Sequence, residues 1–274
     1  MLWDFFPLLE LLFMKEGDKM KINNVSLKER QNVRDFSYIV VGDNYKIKDN
    51  TILRSNNINC FIKEDIDYLV NKYDIKTIID LRNKNEVLNN PCTLNKIKYY
   101  NIPLFESKKK ITVSSNKQKV SVVPNIYETY LDMIRTKTAK KQLKKILKII
   151  MNSNNHCVLF HCSFGKDRTG LISLLVLSML GVSIDDIKKD YMYSNVFLEP
   201  IADSKYNYYL EKSRNVEYAQ QMKDLFLVKE EYIDYVIDYM NEKRGSIINY
   251  IVYEIGISEK KINIFKNNIL KIDK

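Results

Sequence analysis

The run VLFHCSFGKDRTG, Val158 to Gly170, gathers a cysteine, a histidine, a lysine, an aspartate and an arginine into one short stretch. It also takes two of the chain's 7 glycines, Gly165 and Gly170. An apolar run before it suits a buried strand, Gly165 permits a tight loop, and a helix can open at Arg168. Such a strand–loop–helix turn makes an anion cradle, because loop and helix N-terminal N–H groups point inward and the helix dipole adds positive potential. Arg168 can fork onto two oxygens of a phosphate. Ser163, Phe164, Gly165, Lys166 and Asp167 supply the loop between them. Cys162 would sit on the cradle floor, where the field that draws phosphate also favours a thiolate. Thiols at such sites ionise with pKa values of roughly 3.5–7.5 instead of about 8.5. The spacing therefore offers an ionised nucleophile beside a bound phosphorus centre. A Walker-type nucleotide loop is excluded, since it needs Ser or Thr directly after Gly-Lys and Asp167 stands there.

The elements that must hold this cradle are legible around it. Residues 157–161 read as a buried central strand, and 168–181 as a helix apolar on nearly every face, buried but too short to span a bilayer. Upstream, 45–58 alternates as a hairpin or short strands. Residues 63–75 have helical spacing, 76–82 form a short strand, and 96–105 another strand stopped around Pro103. The polar, basic stretch 106–125 is either a plain solvated connection or a lid over an anionic site. Residues 126–152 are helical, as one helix or two, and 183–192 starts on an N-cap Ser183. The Tyr-rich stretch 193–225 has no regular pattern. Helices resume at 229–243, 245–256 and 258–270, with Gly245 and Gly256 as stop signals. Strands alternating with helices predict an α/β fold, a single domain with a central, mostly parallel sheet flanked by helices and a helical C-terminal part.

Composition bounds the partners. Lys+Arg 44 against Asp+Glu 34 gives a net charge of +10 over 274 residues. That suits phosphoesters or anionic lipid, and equally mere solubility. Basic residues do not interleave with aromatics in a nucleic-acid motif, so no nucleic-acid partner is expected. The four cysteines, Cys60, Cys92, Cys157 and Cys162, are too sparse for a disulfide scaffold and read as reduced thiols of a cytoplasmic protein, with secretion left open. His156-Cys157 repeats His161-Cys162, but a zinc site lacks a second ligand pair. The apolar start, MLWDFFPLLELLFM, lacks a basic n-region and a cleavage site and is too short to cross a bilayer. Residues 1–24 are expected to be an extension, loosely docked or preceding a native start at Met14 or Met20, with the domain proper over 25–274.

HCSFGKDRTG resembles the Cys-x5-Arg loop of protein tyrosine phosphatases. It is most similar to the bacterial and fungal group whose loop reads His-Cys-x-x-Gly-Lys-Asp-Arg-Thr-Gly. NVRDF (32–36), LRS (53–55), IIDLRNKNEV (78–87) and DYMYSN (190–195) follow the family's order, although the glycine pair usual after RDF is replaced by SYIVVG. The resemblance implies a cysteine-dependent phosphatase acting on phosphotyrosine, with phosphoserine, phosphothreonine or phosphoinositides as further substrates and no cofactor or metal. Cys162 would form a phosphocysteine, Arg168 and the loop N–H groups would hold the equatorial oxygens, Thr169 would donate to the sulfur and His161 would order the loop. Asp80, in the DLR segment at a strand end, is placed ahead as the acid, with Asp167 as rival and orienter, paired to Arg34 or Arg82. Lys166 is either solvated or a second positive charge at the mouth, as in phosphatases that accept phosphoinositides. A non-catalytic phosphate-binding module would lack Cys, Arg or the acid. Sulfur or arsenate chemistry on a similar loop fits the aspartates less well.

Overall fold

The computed structural model describes residues 25, 27–29, 31–92, 94, 97–104, 114–115, 118–119, 125–153 and 156–273. In chain order the elements begin with four short strands, β1 (Arg34–Asp35), β2 (Val40–Val41), β3 (Tyr45–Ile47) and β4 (Ile52–Ser55). Helix α1 (Lys63–Tyr73), strand β5 (Ile75–Asp80), helix α2 (Lys84–Asn89) and strand β6 (Lys98–Asn101) follow. After the small pair β7 (Ser114–Ser115) and β8 (Gln118–Lys119) come α3 (Ile126–Arg135), α4 (Lys137–Met151) and β9 (Cys157–His161). The remainder is helical: α5 (Asp167–Leu180), α6 (Ile184–Met192), α7 (Ser194–Ser213), α8 (Val216–Asp224), α9 (Glu230–Arg244), α10 (Ile247–Tyr250) with a wide π turn at Ile251–Ile255, and α11 (Glu259–Ile269) before β10 (Leu270–Ile272).

The main sheet has the order β1-β4-β9-β5-β6, parallel except for β1. Parallel sheets of this kind need both faces covered, and β9 is buried at all five residues. Its alternation divides two cores. Val158 and Phe160 pack into a large cluster with α3, α4 and α5, while Cys157 and Leu159 join a smaller one with Leu69 and Tyr73 of α1. The registers align Ser55, His161, Asp80 and Asn101 across β4, β9, β5 and β6. The carboxyl ends of the parallel strands thus form one edge, where α/β folds place their sites.

The expected α/β fold is the observed one, with local differences. The stretch 45–58 forms two short strands rather than a hairpin: β3 pairs with β2 and β10 in a separate antiparallel sheet, while β4 enters the main sheet. Thr136 divides 126–151 into two helices, its side chain capping α4. The Tyr-rich 193–225 is not irregular but folds as α7 and α8, helices whose main partner is each other. Pro200 inside α7 and its few buried positions conceal the period. Residues 1–24 lie outside the description, and so does most of the expected lid at 106–125. Among the described residues no helix is long and apolar enough to cross a membrane.

Candidate active site

The loop leaving β9 carries Cys162 on its floor, 2% exposed. From Ser163 to Thr169 the backbone N–H groups donate to no described residue, and the first bond of the new helix is Gly170 N–H to the Lys166 carbonyl at 2.6 Å. Such a row of uncommitted donors at a helix N-terminus is the physical basis of an anion site. Gly165 makes the curvature possible. Its φ is +70°, and a Cβ there would lie 2.8 Å from backbone atoms of Ser55 and Asn56. The Thr169 hydroxyl donates to the Cys162 sulfur at 3.2 Å. His161 is fully buried, and burial pushes its imidazole below the ordinary value despite the pull of Asp80. Neutral, it donates from Nδ1 to the Cys162 carbonyl at 3.2 Å and so braces the loop.

A buried clamp holds the loop from below. Asn32 donates from Nδ2 to the carbonyls of Phe164 (3.0 Å) and Gly165 (3.3 Å), and Arg54 donates from Nη2 to Gly165 at 2.7 Å. Holding those carbonyls down turns the N–H side of the loop upward. Arg54 and Arg34 both pair with Asp190, Arg34 at 2.9 Å, and Tyr38 adds a hydrogen bond at 2.9 Å. Burial would raise the Asp190 carboxyl, but Arg54 and Arg34 hold it below its ordinary value. Two buried guanidiniums against one carboxylate leave a net positive charge under the cradle.

Arg168 is forked onto Glu86, Nη1 to Oε2 at 2.7 Å and Nη2 to Oε1 at 2.8 Å, and the Ser163 hydroxyl donates to the same carboxylate at 2.5 Å. Lys166 is buried and not solvated, at 4% exposure, with Nζ 2.8 Å from Asp167 Oδ1. Asp167 does not pair with Arg34 or Arg82 as the sequence suggested. Its other partner is Tyr130, whose hydroxyl donates to Oδ1 at 2.6 Å. Phe164, partly exposed, meets the edge of Phe226 with ring centroids 5.6 Å apart, an aromatic wall at the rim.

Asp80 lies elsewhere. It is fully buried, and its oxygens are taken by the Arg82 guanidinium (2.6 and 3.0 Å), the Arg82 backbone (2.9 Å) and the Tyr99 hydroxyl (2.7 Å). Burial would raise its carboxyl, but the hydrogen bonds from Arg82 keep it below the ordinary value. Arg82 is therefore a partner of Asp80, and Arg34 a partner of Asp190. Neither reaches Asp167 as a hydrogen-bonding partner.

Sequence reading did not single out Glu86, Asn32, Arg54, Asp190 or Tyr130. Glu86 had a signal: Asn83-x-x-Glu86 is a capping box, and both of its bonds form, at 3.0 Å each. Asn32, Arg54 and Asp190 lie inside the family segments NVRDF, LRS and DYMYSN, but their pairings span long sequence separations and, like that of Tyr130, leave no local period.

The model of a tyrosine phosphatase family matches residues 25–271. A tyrosine-protein phosphatase of Nostoc commune is 31% identical over 128 residues, 46% of this chain and 42% of that protein. The triple specificity protein phosphatase PtpB of Mycobacterium tuberculosis is 30% identical over 122 residues, 41% of this chain and 44% of that one. The chain thus spans less than half the length of the curated relatives it matches. The solved core catalytic domain of the PP-IP phosphatase SIW14 from S. cerevisiae aligns with 79% of this chain and 96% of its own at 21% identity, with a TM-score of 0.36. On the family match, which takes in the cradle, the clamp beneath it and the C-terminal helices, this chain belongs to the tyrosine phosphatase family.

Proposed function

We propose that this protein is a cysteine-dependent phosphatase that hydrolyses phosphotyrosine in proteins through a phosphocysteine at Cys162. One observation carries the reading: an N–H row from Ser163 to Thr169 that donates to no described residue follows directly on a cysteine whose sulfur already accepts a hydrogen bond. The N–H groups and Arg168 take the equatorial phosphate oxygens, and Cys162 attacks phosphorus in line with the leaving oxygen. The Thr169 hydroxyl steadies the sulfur when water later displaces it. Phe164 and Phe226 offer an aromatic wall to a phenyl ring.

For the acid we place Asp167 ahead of Asp80. Proton transfer needs an oxygen within reach of the leaving group. Asp167 lies in the loop itself with its side chain 28% exposed, whereas both Asp80 oxygens are buried and occupied. Asp80 then serves as a brace for Arg82. Phosphoinositide selectivity counts on Lys166 at the mouth, but its ammonium is buried against Asp167. The four free thiols suit a reducing, cytoplasmic compartment.

Phosphate release from tyrosine-phosphorylated peptides and aryl phosphates tests this, with Cys162→Ser as blank. Equal release by the blank defeats the mechanism. Asp167→Asn should lose roughly 10²-fold or more on a phenyl ester of high leaving-group pKa and little on a dinitrophenyl ester, which needs no acid. Asp80→Asn should show no such selectivity.

A further inference from the structure

We infer that Tyr130 and Tyr191 are positioning residues that fix which oxygen of Asp167 carries the transferable proton; the inference rests on Asp167 being the acid. Tyr130, from α3, and Tyr191, from α6, are both buried, at 1% exposure each. Their hydroxyl oxygens are 2.6 Å apart, and the Tyr130 hydroxyl is 2.6 Å from Asp167 Oδ1. Among the described residues the Tyr191 hydroxyl has only Tyr130 as partner. It therefore donates to the Tyr130 oxygen, and the Tyr130 proton is committed to Asp167. Hydrogen bonds in such a chain polarise and strengthen one another.

The second group at Oδ1, the Lys166 ammonium, is a donor without acceptor capacity. Both partners of Oδ1 thus offer protons and accept none. A proton on Asp167 can reside only on Oδ2, which receives no hydrogen bond from the described residues. That proton passes to the leaving oxygen as the phosphorus–oxygen bond breaks, while both phenols keep theirs.

The signature loop itself makes room for this relay. A Cβ at Gly170 would stand 2.7 and 2.9 Å from Cδ2 and Cε2 of the Tyr191 ring. Gly170 thus seats the Tyr191 ring against the helix. Other groups around the relay are Arg168 and Cys162 in the loop and Tyr232 of α9, whose ring lies 6.0 Å from that of Tyr130. None of them bonds to Oδ1.

The test uses the full chain, a phenyl ester of high leaving-group pKa and a dinitrophenyl ester of low one. Tyr130→Phe should lower kcat roughly 10- to 100-fold on the first, with KM nearly unchanged, and stay within about 3-fold on the second. Tyr191→Phe, which frees the Tyr130 hydroxyl to rotate, should show the same split more weakly. Tyr250→Phe is the control: it removes another buried phenol bonded to α3, at the Ile134 carbonyl (3.0 Å), and should show no split. Equal losses on both esters, or no loss, would overturn the inference. If Tyr130→Phe does not fold, the split in Tyr191→Phe decides alone. Loss of the split in Asp167→Asn would instead sink the acid assignment itself, so the two failures are distinguishable.

Discussion

Glu86 and Arg168 face each other fork to fork, two parallel bonds of 2.7 and 2.8 Å joining a short capped helix to the phosphate-binding loop. Such bidentate pairs fix direction as well as charge. Arg168 is therefore held in place before substrate arrives, and entropy lost on ordering it is spent in folding.

The pair has a pH signature. Burial would raise the Glu86 carboxyl, but Arg168 outweighs it and brings the value from 4.5 to about 2. The folded value lies below the unfolded one, so the stabilisation is fully present above 4.5 and is lost as pH falls towards about 2. Glu86→Gln cannot titrate. Urea unfolding of wild type and variant should show a stability gap at pH 7 that narrows between pH 4.5 and pH 2. A gap constant across that range would refute the assignment.

Thr169 touches the sulfur and not the phosphate, so its loss should slow the second chemical step most. Thr169→Ala removes the donor that steadies the sulfur as it leaves phosphorus. Single donors of this kind are worth about 10²-fold in rate, and less where other dipoles share the charge. We expect kcat to fall roughly 10- to 100-fold with an initial burst of phenol, and phosphocysteine to accumulate in acid-quenched samples. A slow reaction without burst would place the effect on the first step.

The cradle was legible because its chemistry is contiguous: Cys162, Gly165, Arg168 and Thr169 all lie within one loop and the helix it opens. The central strand and the buried helix were legible for a similar reason, since an all-apolar run has few other places to go. What escaped is what the topology brings together. Asp190 reaches Arg34 and Arg54 from α6, and Tyr130 reaches Asp167 from α3; neither pairing leaves a local period or spacing. Asp80 read as reactive because a strand-end carboxylate in an α/β sheet often is. Only the positions of Arg82 and Tyr99 show both its oxygens occupied.

Asp190 is the charge on which the clamp depends. Asp190→Asn leaves Arg34 and Arg54 buried at 0% exposure with no full counter-charge. Breaking one side of a buried ion pair typically costs about 3–5 kcal/mol. The variant should unfold at markedly lower urea, and its surviving folded fraction should bind vanadate weakly because the Gly165 carbonyl is no longer held through Arg54. Equilibrium unfolding followed by tyrosine fluorescence, with vanadate added at saturation, measures both. Unchanged stability would mean that the two arginines find other partners.

Gly165→Ala separates the loop's shape from its charge, because it alters no titratable group. The residue must hold φ at +70°, which costs an alanine roughly 1–2 kcal/mol. Its Cβ would also press to 2.8 Å against the Ser55 carbonyl and the Asn56 nitrogen, which are backbone and cannot swing aside. The loop can relieve this only by lifting away from β4, and lifting it breaks the Arg54 and Asn32 bonds that keep the N–H row turned upward. Catalysis should therefore fall by more than the stability loss implies, with Cys162 and Arg168 both intact. Calorimetric titration with vanadate on the folded variant checks this: binding should weaken at least 10-fold. Retained binding would show that the cradle does not need this backbone conformation.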